Sequence, residues 1–369
     1  MTQSPIKPKF PVLIFGAGSL GRKVLADLRA NGIEPVAFMD NNQQLWYTTI
    51  DGLTVVPPEE ALLRYGTGVV CVVAVYNHSQ VRSQLRTLGF RLVNQFSKAY
   101  RDWIPSALPF YCLEKDNQTI LDNRESAVAA SDLWDDETSV DYYNSQLLWH
   151  RDLATGCLPQ PCPAWQTYFP PDLIRLQEDE VFVDCGAYNG DTLRAFLYKS
   201  EGRFKAYYAF EPDPASVRKL SRFVCDLPKP LTEQILCYGW AVSDKIEVVD
   251  FNANSGVTAS IHKGSVAKVQ AWAMDDLHFD ATPTFIKMDI EGHELQALAG
   301  AKGIIQQPQP ILAICTYHHL SDSWRIPLTI KEYNPSYKMF FRMYAEDCWE
   351  SVCYAIPEHR LIKILRGWL

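Results

Sequence analysis

Short runs of apolar residues alternate along this chain with longer segments that have helical spacing. Two stretches, Pro11–Asp40 and Glu180–Asp213, share one order: an apolar run, a glycine turn, an amphipathic segment, a second apolar run and an acidic residue. Continuous apolar runs bounded by turns are typical of strands that are buried on both faces of a parallel sheet. The pattern therefore predicts two α/β domains, each of which starts its own parallel sheet.

The apolar pattern that follows each start extends both predicted sheets. In the first domain, Val69–Asn77 predicts a buried strand followed by a helix. Near the end of the chain, Met339–Tyr344 and Ser351–Ile356 flank a polar turn and predict an antiparallel hairpin. Further strands of the second domain are predicted at Ile235–Val242, Glu247–Phe251, Thr284–Asp289 and Ile311–Tyr317. The second domain is thus predicted to be a parallel sheet with an antiparallel pair at its edge.

The interval between the two domains has no sustained period. Residues 102–130 are aperiodic and contain Pro105 and Pro109, which mark a boundary. A helix is predicted over Ser131–Leu153, and a proline-rich loop at Leu158–Ala164 leads into the second domain. A chain of 369 residues is too long for one ordinary domain. We predict an N-terminal domain over 1–112, a linker and helical lead-in over 113–160, and a C-terminal domain over 161–369.

The composition narrows the class of protein. Apolar residues make up 47% of the chain and charged residues 21%, which suffices for two sizeable cores. The net charge of −8 disfavours a nucleic-acid partner, which needs clustered Lys and Arg. No apolar run reaches the roughly 20 residues that span a bilayer, and the first residues lack the apolar core of a signal peptide. The ten cysteines form no C-x-x-C pair, so we predict reduced thiols and a cytoplasmic location. The sequence leaves the oligomeric state open, with a homodimer as one alternative.

The first glycine turn has the full G-x-G-x-x-G spacing, with Gly16, Gly18 and Gly21 between a strand and a helix. Asp40 ends the next strand, near the usual distance of about 20 residues. In this context the glycines let the backbone approach a pyrophosphate at the helix N-terminus, and the acid accepts ribose hydroxyls. Alternatively, the glycines only permit tight packing of the strand against the helix. A third hypothesis is that the protein is an NAD-dependent oxidoreductase or dehydratase whose active site lies in this domain.

The second glycine turn has a different spacing. Gly186 and Gly190 are four residues apart, without the G-x-G-x-x-G arrangement that fits a pyrophosphate. Such a turn leaves room for a ligand with an amino-acid group and a sulfonium, whose ammonium group could pair with Asp184 or Asp191. Glu211 ends the next strand and could accept hydrogen bonds from both ribose hydroxyls of that ligand. The alternative is a tight turn and a solvent-facing acid without a ligand.

Five sequence blocks lie in order between Val181 and Leu320. They are VFVDCGAYNGDT, YYAFEPDP, AVSD, TFIKMDIEGHELQALAGA and ILAICTYHH. In order and spacing they resemble the FkbM-type methyltransferase family. Met274 in MDDL departs from the family pattern, and Cys315 stands where many relatives have Glu, so no role is carried over from that Glu. The resemblance implies a class I methyltransferase fold, S-adenosylmethionine as cofactor, and a hydroxyl acceptor on a sugar of a polysaccharide or glycosylated metabolite.

The same resemblance implies a set of cofactor contacts. Contacts to the adenine ring are expected at Ser243, which follows the predicted strand that ends at Val242. The residues expected to bind S-adenosylmethionine are Asp184, Gly186, Ala187, Tyr188, Gly190, Asp191, Thr192, Glu211, Asp213 and Ser243.

The N-terminal blocks VLIFGAGSLGRKVL, VAFMDNN and IDGLTVVPPEEAL resemble the Rossmann domains that precede sugar-nucleotide-modifying enzymes in bacterial polysaccharide pathways. The resemblance implies that Gly16, Gly18, Gly21 and Asp40 bind a nucleotide, either NAD or a nucleotide-sugar, without redox chemistry. Both domains are therefore expected to be Rossmann-like. An alternative is a non-catalytic nucleotide-sugar sensor, in which both domains bind a ligand and neither reacts.

Chemistry is expected where the strands end, because ligands of open α/β sheets lie beyond the carboxyl ends of the strands. Asp289 and Glu291 follow one predicted strand and His318 follows the next, so we predict that they meet as catalytic residues. His318 is a candidate general base; a positioned base adds about 10²–10⁴-fold to the rate. The alternatives are helix capping by the two acids and a structural or substrate-orienting histidine. Lys287 is expected to pair with one of the acids.

These three residues could also hold a divalent cation, since carboxylate and imidazole are both metal ligands. Nothing in their spacing requires one, so no metal is predicted.

Overall fold

The computed structural model describes residues 7–107, 120, 122–152, 158–251 and 267–362. Contacts divide the chain into two compact units. The N-terminal unit lies within Met1–Leu121, Asn144–Pro161 and Ala345–Trp349, and the C-terminal unit lies within Asp122–Tyr143, Cys162–Tyr344 and Glu350–Leu369. Both units are α/β, which confirms the predicted fold class. Within the described residues no helix has both the length and the apolarity needed to cross a membrane.

A six-stranded sheet forms the centre of the N-terminal unit. Its strands are β1 (Val12–Phe15), β2 (Ala37–Met39), β3 (Thr49–Ile50), β4 (Leu53–Val56), β5 (Val70–Val73) and β6 (Leu92–Gln95). The helices are α1 (Ser19–Ala30), α2 (Pro58–Tyr65), α3 (His78–Leu88) and α4 (Phe96–Asp102). The strand order is β3-β4-β2-β1-β5-β6, and only β3 and β4 pair antiparallel. This order is Rossmann-like and brings the β1–α1 turn next to the end of β2.

The C-terminal unit contains two sheets. Its strands are β7 (Val181–Cys185), β8 (Ala206–Phe210), β9 (Ile235–Tyr238), β10 (Ala241–Val242), β11 (Glu247–Phe251), β12 (Ala267–Trp272), β13 (Phe285–Met288), β14 (Ile311–Cys315), β15 (Lys338–Met343) and β16 (Ser351–Ile356). The main sheet has the order β15-β16-β14-β13-β7-β8-β9. Its five strands from β14 to β9 are parallel, and β15 and β16 form the predicted antiparallel hairpin.

Eight helices follow α4 in the described chain. They are α5 (Arg124–Ser131), α6 (Glu137–Asp152), α7 (Asp191–Ser200), α8 (Pro214–Cys225), α9 (Lys229–Thr232), α10 (Glu294–Ala299), α11 (Lys302–Gln306) and α12 (Asp322–Tyr333). The helix α6 confirms the helix predicted over Ser131–Leu153. The helix α5 lies mostly inside the interval predicted to be aperiodic; because its buried residues are Ala127 and Ala130, it shows no visible apolar stripe.

The single strand predicted over Ile235–Val242 is wrong. The strand β9 ends at Tyr238, and β10 belongs to a separate three-stranded sheet of order β10-β12-β11. The chain leaves the main sheet at Gly239 and Trp240, between β9 and β10. The indole of Trp240 stacks between the ring of Tyr238, at 4.6 Å, and the ring of Trp272, at 5.1 Å. The predicted strand Glu247–Phe251 exists but pairs antiparallel with β12 in this small sheet.

An aromatic cluster forms the core below the main sheet. The ring of Phe182 on β7 stacks with Tyr207 on β8 at 5.1 Å and with Phe285 on β13 at 4.8 Å. All three side chains are fully buried. Close packing of these rings on one face of the sheet holds the central strands in place, so the loops at their carboxyl ends start from rigid positions.

Candidate active site

Glu211 follows directly after β8 and lies against the glycine turn that follows β7. Its Oε2 accepts a hydrogen bond of 2.8 Å from the backbone N–H of Tyr188, and its Oε1 accepts one of 2.8 Å from the N–H of Asp213. Burial raises the pKa of Glu211 to about 6, although both backbone donors favour the charged form. The turn and the strand-end acid are thus on the same side of the sheet and in direct contact.

Gly186 is required by the path of the neighbouring strand. Its φ is +82°, and a Cβ built on it would lie 1.9 Å from the backbone oxygen of Asp289. Its N–H donates to the carbonyl of Phe210 at 2.9 Å. Gly190 also has a positive φ of +85°, and its Cβ would lie 3.0 Å from the side chain of Leu220. Both glycines therefore have a packing reason, whether or not a ligand is bound.

Asp184 and Lys287 form a fully buried ion pair beneath the turn. The Nζ of Lys287 lies 3.0 Å from Oδ1 of Asp184 and donates to the backbone carbonyl of Gly186 at 2.7 Å. The hydroxyl of Tyr207 donates to Oδ2 of Asp184 at 2.6 Å. The expected ion pair of Lys287 with Asp289 or Glu291 is therefore replaced by one with Asp184. Because Asp184 has two protein partners and no exposed surface, it supports the turn from below.

The remaining predicted cofactor residues differ in their surroundings. Asp213 is buried and caps α8, where its carboxylate accepts from the N–H and the Oγ–H of Ser216 at 2.9 Å each. Ser243 is buried, and its Oγ lies 3.0 Å from Nε2 of His293. The start of α7 carries an exposed Asp191 and a buried Thr192, while Ala187 is buried in the turn. The turn and the start of α7 thus supply Ala187, Tyr188, Asp191 and Thr192 next to Glu211. Asp213 and Ser243, by contrast, already have protein partners.

The three predicted catalytic residues come together beyond the ends of β13 and β14. Asp289, Glu291 and His318 each contribute one atom that could bind a metal, and these three atoms lie within 4.8 Å of one another. The Nε2 of His318 lies 3.4 Å from Oδ1 of Asp289 and 3.7 Å from Oε2 of Glu291. The side chains of Asp289 and Glu291 keep 22% and 29% of their surface exposed, whereas that of His318 keeps 7%. The cluster thus presents two carboxylates to solvent above a buried imidazole.

Three further residues hold this cluster in position. The hydroxyl of Tyr168 donates to Oδ2 of Asp289 at 2.7 Å, and the hydroxyl of Tyr317 donates to Oδ1 at 3.1 Å. The buried Glu294 has its Oε1 at 2.9 Å from Nδ1 of His318. The contact of Tyr168 with Asp289 leaves no sequence pattern, because the two residues are more than one hundred positions apart along the chain.

The charges of the cluster shift the pKa values of its members. Burial opposes a charge on His318, but Glu294, with Asp289 and Glu291, raises its pKa to about 10. Burial raises the pKa of Glu291 to about 7, against the effect of His318. Burial also opposes the charge of Asp289, yet Lys287 and His318 keep its pKa below the ordinary value. A protonated imidazole cannot accept a proton, which disfavours His318 as a general base in this state.

The N-terminal glycine turn has the same local construction as the C-terminal one. Oδ2 of Asp40 accepts from the N–H of Ala17 at 2.9 Å, and Oδ1 accepts from the N–H of Asn42 at 2.8 Å. A Cβ on Gly21 would lie 1.8 Å from the carbonyl oxygen of Gly16, whereas a Cβ on Gly18 would meet nothing within 4 Å. Gly18 is the N-cap of α1, which has neither a side-chain cap nor an acidic residue in its first turn. The sequence also predicts a polar loop at residues 254–260, with Asn254, Ser255, Gly256, Thr258 and Ser260, and this loop lies outside the described residues.

The fold and the turn together define a class of protein. The unit has a parallel sheet with a glycine turn after its first strand, an acid at the end of the second strand and an antiparallel hairpin at the edge. This combination is the fold of class I S-adenosylmethionine-dependent methyltransferases. Residues 184–346 match the family model of the Methyltransferase FkbM domain. This part of the chain is therefore an FkbM methyltransferase domain, and the protein is an S-adenosylmethionine-dependent methyltransferase.

Comparisons with other proteins agree with this class. Residues 9–92 match the family model described as C2185-like, N-terminal. Methyltransferase FkbM from Methylobacillus flagellatus KT is similar in structure over 94% of this chain and 90% of that chain, with a TM-score of 0.75 and 23% identity. No curated protein matches the chain at a significant level.

Two more distant likenesses cover single parts of the chain. A precorrin-6y C5,15-methyltransferase from Geobacter metallireducens GS-15 matches 50% of this chain and 84% of that chain, with 12% identity and a TM-score of 0.31. UDP-D-quinovosamine 4-dehydrogenase from Vibrio fischeri matches 32% of this chain and 87% of that chain, with 24% identity and a TM-score of 0.21. Such low TM-scores identify neither fold nor function.

Proposed function

We propose that this methyltransferase transfers the methyl group of S-adenosylmethionine to a hydroxyl oxygen, carried by a sugar of a polysaccharide or a glycosylated metabolite. The observation that carries the proposal is the contact between Gly186 and Asp289. The N–H of Asp289 donates to the carbonyl of Cys185 at 3.0 Å, and its own carbonyl packs against Gly186. The polar cluster that begins at Asp289 is therefore beside the turn to which we assign the cofactor.

The cluster suits an alcohol because it offers hydrogen-bond acceptors at a partly exposed position. Asp289 and Glu291 accept hydrogen bonds from the acceptor hydroxyl and hold its oxygen in line with the sulfonium methyl group. Alignment of two reactants is worth roughly 7–11 kcal/mol of the barrier. Tyr168 and Tyr317 act as positioning residues, since each donates to one oxygen of Asp289.

On the cofactor side, we assign the ribose hydroxyls to Glu211. Each of its oxygens uses one lone pair on a backbone N–H, which leaves further acceptor capacity. Gly186, Ala187, Tyr188, Gly190, Asp191 and Thr192 form the wall around the methionine part of the cofactor. Asp184, Asp213 and Ser243 keep that wall in position through the partners described above.

For the N-terminal domain we propose a nucleotide ligand, either NAD or a nucleotide-sugar. The proposal is supported by the free N-terminus of α1, where backbone N–H groups and the helix dipole favour a pyrophosphate. The open space at Gly18 lets that group approach the backbone. Asp40 accepts hydrogen bonds from the ribose in the way that we propose for Glu211.

Transfer of a labelled methyl group to matched acceptors tests the acceptor class. The purified chain is incubated with methyl-labelled S-adenosylmethionine and pairs of sugars that differ only in a hydroxyl or an amine. We expect label in the hydroxyl compound as a base-stable ether, and S-adenosylhomocysteine released in equal amount. Label in an amine, or in a base-labile ester, would contradict the proposal.

Replacement of Asp289 by Asn tests the assigned site. We expect the turnover to fall about 10²–10⁴-fold while the Kd for S-adenosylmethionine stays within twofold of its original value. The control is His359→Gln, a change at an exposed residue. Unchanged turnover in the Asp289 variant would refute the assignment of that residue.

Several sequence-based expectations stay proposals. We place the methyltransferase domain at 161–369, the linker at 113–160 and the N-terminal domain at 1–112. We further propose a cytoplasmic protein without a nucleic-acid partner, with a homodimer as one alternative for its oligomeric state.

A further inference from the structure

The imidazole of His318 has the surroundings of a metal ligand. Its side chain is only 7% exposed, and within the described part of the chain good hydrogen-bond geometry is met neither at Nδ1 nor at Nε2. The Nε2 atom faces the carboxylates of Asp289 and Glu291, at 3.4 Å and 3.7 Å. These distances are too long for good hydrogen bonds and leave room for an ion that all three side chains contact.

The groups behind these side chains are those that orient metal ligands in proteins. Histidine ligands nearly always use their other ring nitrogen to bind a carboxylate or a carbonyl. Here Nδ1 of His318 lies 2.9 Å from Oε1 of the buried Glu294, and the same oxygen accepts from the N–H of Ile290 at 2.9 Å. When an ion replaces the proton of Nε2, Nδ1 keeps its proton beside Glu294, and the lone pair of Nε2 then points between Asp289 and Glu291.

Asp289 is fixed in the same way as the histidine. Its two carboxylate oxygens accept from the hydroxyls of Tyr168 and Tyr317. These bonds fix the plane of the carboxylate while leaving it one lone pair on each oxygen. The carboxylate of Glu291 completes a set of one nitrogen and two oxygen ligands on two adjacent loops.

The charge balance of the cluster also calls for a cation. Three carboxylates, from Asp289, Glu291 and Glu294, surround a single imidazole. The nearby Lys287 is bound to Asp184 and to the carbonyl of Gly186. A divalent ion between the carboxylates would offset repulsion that the imidazolium and the charge of Lys287 offset only in part.

We propose that Asp289, Glu291 and His318 bind a divalent first-row cation, with Glu294, Tyr168 and Tyr317 as positioning residues. Mixed carboxylate and imidazole ligation suits ions such as Mn²⁺, and three protein ligands leave coordination positions open. Its role in catalysis rests on the proposed function. The acceptor hydroxyl binds at an open position, where the ion lowers its pKa. The O–H bond breaks and the proton leaves to solvent; the oxygen then forms the new O–CH₃ bond as the S–CH₃ bond breaks, which releases S-adenosylhomocysteine.

Binding of Mn²⁺ to the full-length chain, after treatment with EDTA and without any acceptor, tests the site directly. We expect one Mn²⁺ per chain by electron paramagnetic resonance and calorimetry. Glu291→Gln and His318→Gln should abolish this binding, and Glu294→Gln should weaken it about 10- to 100-fold. The matched control His359→Gln, at an exposed histidine, should bind as the unchanged chain does. No binding by the unchanged chain, or equal binding by the Glu291 and His318 variants, would overturn the proposal.

A measurement on the unchanged chain covers the case in which the variants do not fold. Electron spin echo spectra of bound Mn²⁺ should contain modulation from an imidazole nitrogen, and its absence would overturn the proposal as well. The result is separable from that of the proposed function. Full methyl transfer to a hydroxyl in EDTA would refute the catalytic role of the ion alone. Mn²⁺ binding at this site with methylation of amines only would refute the hydroxyl acceptor alone.

Discussion

The backbone N–H of Tyr188 donates a hydrogen bond of 2.8 Å to Oε2 of Glu211. The N-terminal unit repeats this relationship between Ala17 and Asp40, at 2.9 Å. In both units the other carboxylate oxygen accepts from the N–H two residues further along, at Asp213 and Asn42. Each strand-end acid thus connects its own loop to the glycine turn of the preceding strand. Such a link holds the walls of the proposed ribose pocket in place before a ligand arrives.

Loss of the Glu211 carboxylate should weaken cofactor binding. A hydrogen bond to a charged group is worth about 1.5–3 kcal/mol, which is roughly 10- to 150-fold in Kd. We expect Glu211→Ala to raise the Kd for S-adenosylmethionine by at least this factor in isothermal titration, and Glu211→Gln to have a smaller effect. Glu233→Ala, at an exposed position in the same unit, is the control. An unchanged Kd in Glu211→Ala would refute the ribose assignment.

Cofactor binding should weaken in mild acid. Burial raises the pKa of Glu211 to about 6, so the carboxylate becomes protonated as the pH falls through that value. The charged form is the better acceptor for ribose hydroxyls, so affinity should drop by up to about tenfold between about pH 7 and about pH 5. The Gln variant cannot titrate at this position and should show a flatter profile. Parallel profiles for the two proteins would exclude Glu211 as the titrating group.

The buried ion pair beneath the turn should contribute strongly to stability. Asp184→Asn removes the carboxylate in direct contact with the buried Lys287, and breaking such a buried pair costs about 3–5 kcal/mol. Asp250→Asn breaks the pair with Lys268, whose side chain is 67% exposed, and should cost at most about 1 kcal/mol. Urea unfolding of the three proteins measures both differences. Equal free energies of unfolding for the two variants would show that burial does not set the strength of this pair.

Two glycines of the N-terminal turn should respond differently to the same substitution. Gly21→Ala would put a Cβ 1.8 Å from the carbonyl oxygen of Gly16, so we expect a lower melting temperature or no folded protein. Gly18→Ala meets no protein atom within 4 Å and should keep the melting temperature. Its methyl group would occupy the space assigned to a pyrophosphate, so stabilisation by NAD or by UDP-glucose should decrease. If neither nucleotide stabilises the unchanged protein, the nucleotide proposal for these glycines fails.

The central strands of both sheets could be predicted because they depend on local patterns. The run Val12–Phe15 is continuously apolar, and Val181–Cys185 is apolar except for Asp184. Both runs end in glycine turns, and the structure has a strand at each. The small sheet was only partly predictable. The strand β12 carries polar residues on a half-exposed face, and its pairing with β11 and β10 depends on residues far apart in the chain.

The sequence by itself determined which residues stand at the strand ends, because strand periodicity and glycine turns are local properties. It therefore predicted Glu211 as the acid beside the cofactor turn, and Asp289, Glu291 and His318 as a converging group. Only the tertiary structure decided their partners: Lys287 pairs with Asp184, and Tyr168 reaches Asp289. The physical reason is that a contact between distant residues depends on strand order and side-chain packing, and neither leaves a periodic trace in the chain.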